Sequence, residues 1–321
     1  MEKFLLVLII LIAASFIYLK LAIRFKIVDK PNQRSSHTKI TVRGGGIIFP
    51  IAIVLFFVFN QFQYPYFVAG VLLISLVSFL DDIYTLSSKI RFPFQILAIA
   101  LVLVELEVSL EFWFFFYVAW GVGVLNMFNF MDGINGITGL YSLSSLFGFY
   151  LINTEVDLVN DNLILYAALS LIVFGFYNFR KKALFFAGDI GSIAIGILIF
   201  FLGMLFAIKL SYPFVLMCIM VYGADAGMTL LYRKFYTKES VLDPHRHHIY
   251  QKLVDVYKIS HLKVSALYAI LQVVISYIAF KTYKFSMVNQ SYVFLGIVLC
   301  LILSYVFLFK KIETKKQILN N

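Results

Sequence analysis

Eleven apolar runs divide the chain into segments that approach or reach the length needed to cross a lipid bilayer. They lie near residues 4–23, 44–60, 66–80, 93–106, 112–130, 137–152, 162–178, 192–209, 213–231, 264–281 and 292–310. A hydrocarbon core about 30 Å thick admits only backbone whose polar groups are paired within the segment, as in helices. The sequence therefore predicts an all-α, polytopic membrane protein, a bundle of about 11 transmembrane helices in which residues 1–321 form one domain. The alternative count is ten, because the fourth run is short.

The composition excludes a soluble domain. Of the 321 residues, 62% are hydrophobic and only 14% are charged, whereas soluble domains carry about 25% charged residues. The net charge of +10 favours loops that face an anionic leaflet or bind anionic substrates, so we expect the lipid bilayer and not nucleic acid as a partner. Cys218 and Cys300 both lie inside apolar runs, so there is neither a disulfide framework nor a CxxC metal site.

Lysine and arginine are distributed unevenly between the two sides of the predicted bundle. With the N-terminus outside, the loops 24–43, 81–91, 179–191 and 232–263 and the tail from Lys310 hold 22 of the 27 cations, and the opposite side holds four. Cytoplasmic loops of membrane proteins carry the excess of such residues. The pattern predicts an external N-terminus, a cytoplasmic C-terminus and a cytoplasmic position for residues 126–139.

Residues 126–139, NMFNFMDGINGITG, form a polar, glycine-rich stretch between two apolar runs. Asn126, Asn129 and Asp132 recur at every third residue, which places them within about 120° on one face of a helix. Polar groups at the end of a hydrophobic helix are costly unless they meet water, a metal or a ligand. The pattern favours a functional site, and the alternative is a hydrogen-bonded turn between two helices.

Further carboxylates are predicted on the same side. Asp81 and Asp82 end the third run, and Asp189 lies in a GDIGS stretch before the eighth. Adjacent carboxylates repel one another, so one of the pair can take part in proton transfer. Together with Asp132 they indicate a Mg²⁺ site, since Mg²⁺ takes a few oxygen ligands and keeps water for substrate phosphates. The alternative for the pair is a helix-end cap that Lys89 neutralises.

Three glycine-rich stretches, RGGG, DGINGITG and GDIGS, directly precede runs that leave the cytoplasmic side. A helix N-terminus presents free amides and a positive dipole end, and glycine lets a phosphate approach the backbone. Three such stretches on one side favour a phosphorylated ligand. The alternative is that glycine lets membrane helices pack closely.

Two further features belong to the C-terminal third. Residues 245–248, HRHH, favour an anion site of guanidinium and imidazolium groups. A zinc site lacks a fourth-ligand pattern, and a solvated basic loop is the other alternative. Asp225, inside the ninth run, is either functional or a buried partner for a cation or a helix N-terminus.

In combination these motifs resemble the polyprenyl-phosphate N-acetylhexosamine-1-phosphate transferases, glycosyltransferase family 4. The family includes the phospho-MurNAc-pentapeptide transferase of peptidoglycan synthesis and the enzymes that start O-antigen and teichoic-acid linkage units. The resemblance runs from VDKPNQRSSHT at residue 28 to HRHHIYQKL at residue 253, with DD, NMFNFMDGING and FFAGDIGS in family order. It is closest to the members that start O-antigen or capsule chains.

The resemblance implies that a phosphate oxygen of undecaprenyl phosphate attacks the sugar-linked phosphorus of a UDP-N-acetylamino sugar. UMP leaves and a lipid-linked diphosphosugar forms, assisted by Mg²⁺, for which Mn²⁺ is an alternative. The resemblance also implies a bacterial plasma-membrane enzyme with its active site on the cytoplasmic face.

The resemblance assigns roles by position in this chain. The metal ligands are Asp189 and Asn129, and the catalytic residues are Asp81 and Asp82, which engage or deprotonate the lipid phosphate, and Asp132 of the DG element. The substrate contacts are Asn135 and Phe186 for uracil, Arg91, His245, Arg246 and His248 for the diphosphate and sugar, and Arg43.

The chain departs from the family pattern at three places, of which the one at residues 248–251 leaves the sugar open but not the reaction. Asn135 stands where relatives frequently carry aspartate, although an amide can still hydrogen-bond uracil. Residues 180–182 are basic, RKK, where relatives often carry Pro-Ala, and residues 248–251 lack the HxHH form of many relatives. The sugar, the pathway and the choice between Asp81 and Asp82 as proton carrier stay open.

Two other functions fit a chain of this composition. A transporter or flippase for a lipid-linked or anionic solute would concentrate charge near the membrane midplane and show broken helices in paired repeats. A membrane scaffold would need no set of carboxylates on one side. Because the acids lie at the cytoplasmic ends of runs and no internal repeat is evident, we expect the transferase; a homodimer is compatible with this expectation.

Overall fold

Helices account for nearly all secondary structure in the part of the chain that the computed structural model describes, residues 2–29, 40–237 and 246–320, with side chains up to residue 315. The α-helices in these ranges are α1 (Glu2–Phe25), α2 (Ile48–Phe59), α3 (Pro65–Tyr84), α4 (Ser88–Glu105), α5 (Phe112–Met131), α6 (Ile137–Val156), α7 (Asp161–Asn178), α8 (Gly188–Lys209), α9 (Met220–Tyr232), α10 (Ile249–Asp255), α11 (His261–Thr282) and α12 (Met287–Asn320). Short 3₁₀ segments at Gly45–Ile47 and Pro213–Ile219 precede α2 and α9, and a π-helical turn at Arg233–Thr237 follows α9. The strands β1 (Val28–Asp29) and β2 (Thr41–Val42) pair antiparallel.

The predicted all-α membrane fold is confirmed, and each of the eleven apolar runs falls on a helix. Eight helical segments of the described ranges are long and apolar enough to cross a membrane. The other three runs correspond to α2, α4 and α6. With its preceding 3₁₀ turn, α2 covers only Gly45–Phe59, fewer than the about 20 residues of a full crossing. Helix α10 lies outside the predicted runs because it is short and begins in the basic loop.

Helix α8 lies at the centre of the bundle. Of its candidate span, 94% is buried, and it packs against α3 and α5. A helix that is apolar on all sides is expected to be surrounded by others. The ring of Phe201 stacks on Phe67 of α3 at a centroid distance of 4.2 Å. By contrast, only 6% of the α12 span is buried, so α12 offers most of its surface to lipid.

Residues 42–46 and 185–187 run side by side and join the start of α2 to the start of α8. The N–H groups of Gly45 and Gly46 donate to carbonyl oxygens of the second segment at 2.8 and 2.9 Å. A Cβ atom on Gly46 would lie 2.3 Å from the Cα of Gly191, so this approach requires glycine. The pairing brings the arginine that precedes these glycines to the first turn of α8.

The segments predicted to share one side meet at one end of the bundle. The loop before α2 contacts the ends of α3 and α8, and the loop after α5 contacts the loop after α7. Lys252 of α10 pairs with Glu313 of α12 at 2.6 Å. At the other end, the carboxylate of Glu105 accepts the N–H groups of Tyr66 and Phe67 and caps α3. The cytoplasmic assignment of the polar end remains a prediction from charge.

Candidate active site

Asp82 lies in the last turn of α3 and caps the N-terminus of α8. Its carboxylate accepts the N–H groups of Asp189 and Ile190 at 2.9 and 3.1 Å, and the Nε of Arg43 lies 2.6 Å from its Oδ1. The side chain is fully buried, so these donors replace the water that it has lost. A carboxylate here is also stabilised by the helix dipole. Asp82 therefore holds the start of α8 against the end of α3.

Asp189, the second residue of α8, lies at the centre of the site. Its carboxylate oxygens accept from Nη2 of Arg43 and Nη1 of Arg91, each at 3.2 Å, and from Nδ2 of Asn129 at 2.9 Å. The three donors come from three different parts of the chain. Its side chain keeps 17% of its surface exposed, so one side of this carboxylate can still meet a ligand.

Asp81 forms an ion pair with Arg91. Nη1 of Arg91 lies 2.5 Å from Oδ2 of Asp81, and the N–H of Leu86 donates to Oδ1 at 2.6 Å. Arg91 belongs to the first turn of α4, which the short connection after α3 brings back over the end of α3. Arg91 therefore bridges Asp81 and Asp189.

These five side chains form one group, which we name the ion-pair cluster: Asp81, Asp82, Asp189, Arg43 and Arg91. Burial alone would lower the pKa of the Arg43 guanidinium, but the carboxylates of Asp189 and Asp82 raise it above its ordinary value. Arginine stays charged in proteins, so the cluster of two arginines and three acids carries one net negative charge when its acids are ionised. Such a cluster can attract a cation through its carboxylates and a phosphate through its guanidinium groups.

Asp132 follows α5 and faces the start of α6. The hydroxyl of Thr138 donates to its Oδ1 at 2.5 Å. Burial raises the pKa of Asp132 to about 6, while the Thr138 hydroxyl acts in the opposite direction by stabilising the ionised form. The group can thus change its protonation state close to neutral pH, which is the property that a proton carrier needs.

The side-chain oxygens of Asp189 and Asn129 are of the kind that Mg²⁺ prefers as ligands, carboxylate and amide oxygens. Asn129 directs Nδ2 to Asp189, and a flip of its amide would present Oδ1 instead. In the described ranges, no three His, Cys, Asp or Glu residues are grouped to hold a metal ion. Asp189 and Asn129 could therefore hold Mg²⁺ only with water and substrate phosphates completing the shell, an arrangement common for this ion.

Several of the amides predicted to bind a phosphate donate to partners within the protein. Those at the start of α8 donate to Asp82, and those of Gly45 and Gly46 donate to backbone carbonyls. Before α6, the N–H of Gly136 donates to Oδ1 of Asn178 at 2.7 Å. The interpretation of these three helix starts as phosphate sites stays a prediction, and it has to rest on other amides than these. The alternative, glycine for close packing, agrees with the structure around Gly46.

The two predicted uracil contacts, Asn135 and Phe186, line the same cleft, whose volume is about 1080 Å³. Phe186 lies three residues before Asp189, so the cleft adjoins the ion-pair cluster along the chain. The side-chain amide of Asn135 donates to the carbonyls of Arg180 and Lys181 at 2.9 and 3.5 Å. Asn135 is therefore also tied to the loop after α7.

Asp225 is a partner of a helix N-terminus, one of the two roles left open for it. Its carboxylate accepts the N–H groups of Ile249 and Tyr250 at 3.0 and 3.4 Å and the hydroxyl of Tyr268 at 2.6 Å. Nδ1 of His248 lies 3.4 Å from the same carboxylate. The basic loop is thus anchored to α9 where α10 begins.

Helix α10 is also anchored to the DG element. The hydroxyl of Tyr250 donates to the carbonyl of Phe130 at 3.1 Å and would lie 2.2 Å from a Cβ on Gly133. The imidazole of His248 stacks on the Tyr250 ring with a centroid distance of 5.6 Å. His248 therefore stacks on the residue that contacts the DG element, and its role as a substrate contact stays a prediction.

Arg246 of the basic loop forms an ion pair with an acid of α10. Arg246 donates from Nε and Nη2 to the two carboxylate oxygens of Asp255 at 3.0 and 2.9 Å, a pairing that sequence reasoning did not anticipate. His245 lies outside the described residues.

Sequence reasoning also missed three supporting residues. Ser192, whose hydroxyl lies 3.3 Å from Nδ2 of Asn129, stands one helical turn after Asp189, and that spacing was a usable signal. Thr138 follows the DG element by five residues and could have been found as a hydroxyl at a helix start. Tyr268 lies 43 residues from Asp225, and no local pattern could have linked them.

Comparisons with known proteins agree with the motifs. The family model described as Glycosyl transferase family 4 matches residues 64–208, a range that includes Asp81, Asp82, Asn129, Asp132 and Asp189. The chain is 27% identical over 276 residues to a Bacillus subtilis (strain 168) protein described as "Probable undecaprenyl-phosphate N-acetylglucosaminyl 1-phosphate transferase", with 78% of this chain and 76% of that protein covered. The matched range, the order of the motifs and the helical membrane fold all support the similarity of this chain to glycosyl transferase family 4.

Proposed function

We propose that the protein transfers an N-acetylated amino-sugar 1-phosphate from a UDP-sugar to undecaprenyl phosphate, releasing UMP. The observation that carries the proposal is the ion-pair cluster at the ends of α3 and α8, next to a large cleft at the same end of the bundle. A lipid acceptor and a soluble donor can meet only at such a membrane boundary. The same placement disfavours transport or flipping, which would need charges near the midplane.

In the proposed reaction, an oxygen of the lipid phosphate forms a bond to the sugar-linked phosphorus of the donor. The bond from that phosphorus to the oxygen of the uridylyl phosphate breaks, and the electron pair leaves with UMP. Phosphoryl transfer depends mainly on positioning and on neutralising charge. Arg43 and Arg91 supply two guanidinium groups for the phosphate oxygens. The carboxylates bonded to these groups hold both side chains in place.

The carboxylates have distinct proposed roles. Asp81, which is bonded to Arg91, takes or relays the residual proton of the lipid phosphate, and Asp82 orients the cluster. Asp132 assists from the DG element as a second carboxylate that can accept a proton near neutral pH. Asp189 and Asn129 hold Mg²⁺, or Mn²⁺, which supplies positive charge for the diphosphate.

The finer assignments follow the resemblance and the named relative. N-acetylglucosamine is the first donor to test because that relative's description names it. The product would begin a cell-envelope polysaccharide of the O-antigen, capsule or teichoic-acid type. The proposed location is a bacterial plasma membrane, with the active site and C-terminus cytoplasmic and the N-terminus outside.

The test is a transfer assay on purified protein in nanodiscs with undecaprenyl phosphate, Mg²⁺ and a panel of UDP-amino sugars. UMP and the lipid diphosphosugar should appear in equal amounts, and omission of the lipid should abolish both. Asp189→Asn serves as the inactive control. UMP release without a lipid product, or no turnover of any donor by well-folded protein, would refute the proposal.

A further inference from the structure

The cleft that Asn135 and Phe186 line has an excess of cations on its wall. Lys181, Lys182 and Lys258 line it together with His261. No carboxylate belongs to the lining among the described residues. Lys181 and Lys182 are exposed, so their ammonium groups can reach a ligand in the cleft. Cations without interspersed acids in a concave site raise the local concentration of anions.

Asn135 is hydrogen-bonded to two other residues that line this cleft, Lys181 and His261. Its side-chain amide donates to the carbonyls of Arg180 and Lys181, and its backbone N–H donates to Nδ1 of His261 at 3.3 Å. The hydroxyl of Ser265 donates to its backbone carbonyl at 2.9 Å. The residue is only 5% exposed, so most of its polar surface serves these internal bonds.

This arrangement connects two of the departures from the family pattern. An aspartate at position 135 could not donate to a carbonyl oxygen, because an ionised carboxylate only accepts hydrogen bonds. An asparagine can, and the carbonyls that it holds belong to the basic segment 180–182. The amide and the lysines therefore form one structural unit.

We propose that Asn135 is a positioning residue that holds Lys181 and Lys182 on the cleft wall, where their ammonium groups bind anionic oxygen atoms of the nucleotide donor. The inference rests on the proposed function, because it takes a nucleotide sugar as the ligand. It differs from the predicted role of Asn135 as a direct uracil contact. The anionic oxygens belong either to the phosphates or to an acidic sugar, and donors of both kinds distinguish these sources.

The experiment is a double-mutant cycle on donor KM. Its members are the wild type, Asn135→Asp, the pair Lys181→Gln/Lys182→Gln, and the triple variant. The control pair Lys310→Gln/Lys311→Gln removes the same charge from exposed positions on α12. The lysine pair should raise KM about tenfold, since each exposed ion pair contributes about 1.4- to 5-fold to affinity, with kcat within about twofold. It should also reduce the dependence of KM on salt.

The result for Asn135 decides its role. If it acts through the lysines, Asn135→Asp raises KM and the triple variant shows little more than the lysine pair alone. Full additivity in the cycle would overturn the positioning role, because it would mean that Asn135 contacts the donor independently. A KM for the lysine pair equal to that of the control pair would overturn the charge role.

Two further measurements complete the test. If UMP inhibits the lysine-pair variant more weakly, in proportion to its raised KM, the lysines bind phosphate oxygens. If KM rises only for UDP-sugars that carry a carboxylate, the lysines bind the sugar. Calorimetric binding of UDP to the same proteins needs no turnover. Transfer by the wild type, with both the donor KM and the UDP binding of the lysine pair unaltered, overturns only this inference, whereas UDP binding without transfer refutes the proposed function.

Discussion

Asp82→Asn should damage the protein mainly through its structure. The carboxylate of Asp82 pairs with Nε of Arg43 and accepts two N–H groups at the start of α8. Its side chain is fully buried. An asparagine keeps one acceptor oxygen, but its amide would face at least one of these donors. Arg43 would also lose its nearest counter-charge, although Asp189 remains 3.2 Å away.

The expected cost follows from these contacts. Removing one partner of a buried ion pair costs about 3–5 kcal/mol, and losing a helix cap costs about 1 kcal/mol. Both effects act through the same carboxylate and do not add in full, and Arg43 is 29% exposed, which lowers the cost. We expect a loss of about 3 kcal/mol in the free energy of unfolding. At about 2 °C per kcal/mol for a large domain, Tm should fall by about 6 °C.

Thermal unfolding in detergent micelles measures the shift, and Asp255→Asn is the matched control. Asp255 pairs with Arg246 on the surface, with 42% of its side chain exposed, so its loss should cost less than about 1 kcal/mol. Equal Tm shifts in the two variants would refute the capping role of Asp82. An unchanged Tm with a large loss of kcat would instead make Asp82 a chemical participant.

The other predictions concern the remaining acids and the topology. Asp189→Asn should abolish transfer, and a near-normal rate with an unaltered Mg²⁺ titration would contradict the metal role. Asp81→Asn should lower kcat by about 10² to 10⁴ and recover towards pH 9, where the lipid phosphate, with pKa about 6, is fully dianionic; no recovery would exclude the base role. Thr138→Val removes a bond that favours ionised Asp132, whose pKa is raised to about 6, so the acidic limb of the pH–rate profile should move to higher pH. A cysteine at Thr314 should resist an impermeant reagent in intact cells, and labelling there would reverse the topology.

The helices were predictable because lipid imposes a length and an apolar composition on every crossing segment. Each of the eleven runs became a helix, and the acids at positions 81, 82, 132 and 189 were correctly expected at one end of the bundle. The length of α2 was less predictable, since the glycines before it form a turn that pairs with residues 185–187 instead of extending the span.

The partners of the acids were harder to predict than the acids. Arg43 and Arg91 were interpreted as substrate contacts, yet both are bonded to carboxylates of the cluster. Positive dipole ends were expected to attract a phosphate, but Asp82 already occupies the start of α8. Such choices between a ligand and an internal partner depend on contacts between distant segments, which hydrophobic periodicity does not encode.

The spacing of the ion-pair cluster along the chain has a consequence for membrane insertion. The ribosome synthesises Arg43, Asp81, Asp82 and Arg91 long before Asp189, which follows Asp82 by 107 residues. The first four residues include two cations and two anions, so the nascent bundle can hold them as a neutral set at the lipid boundary. The net negative charge of the cluster therefore arises only when α8 has been inserted between α3 and α5.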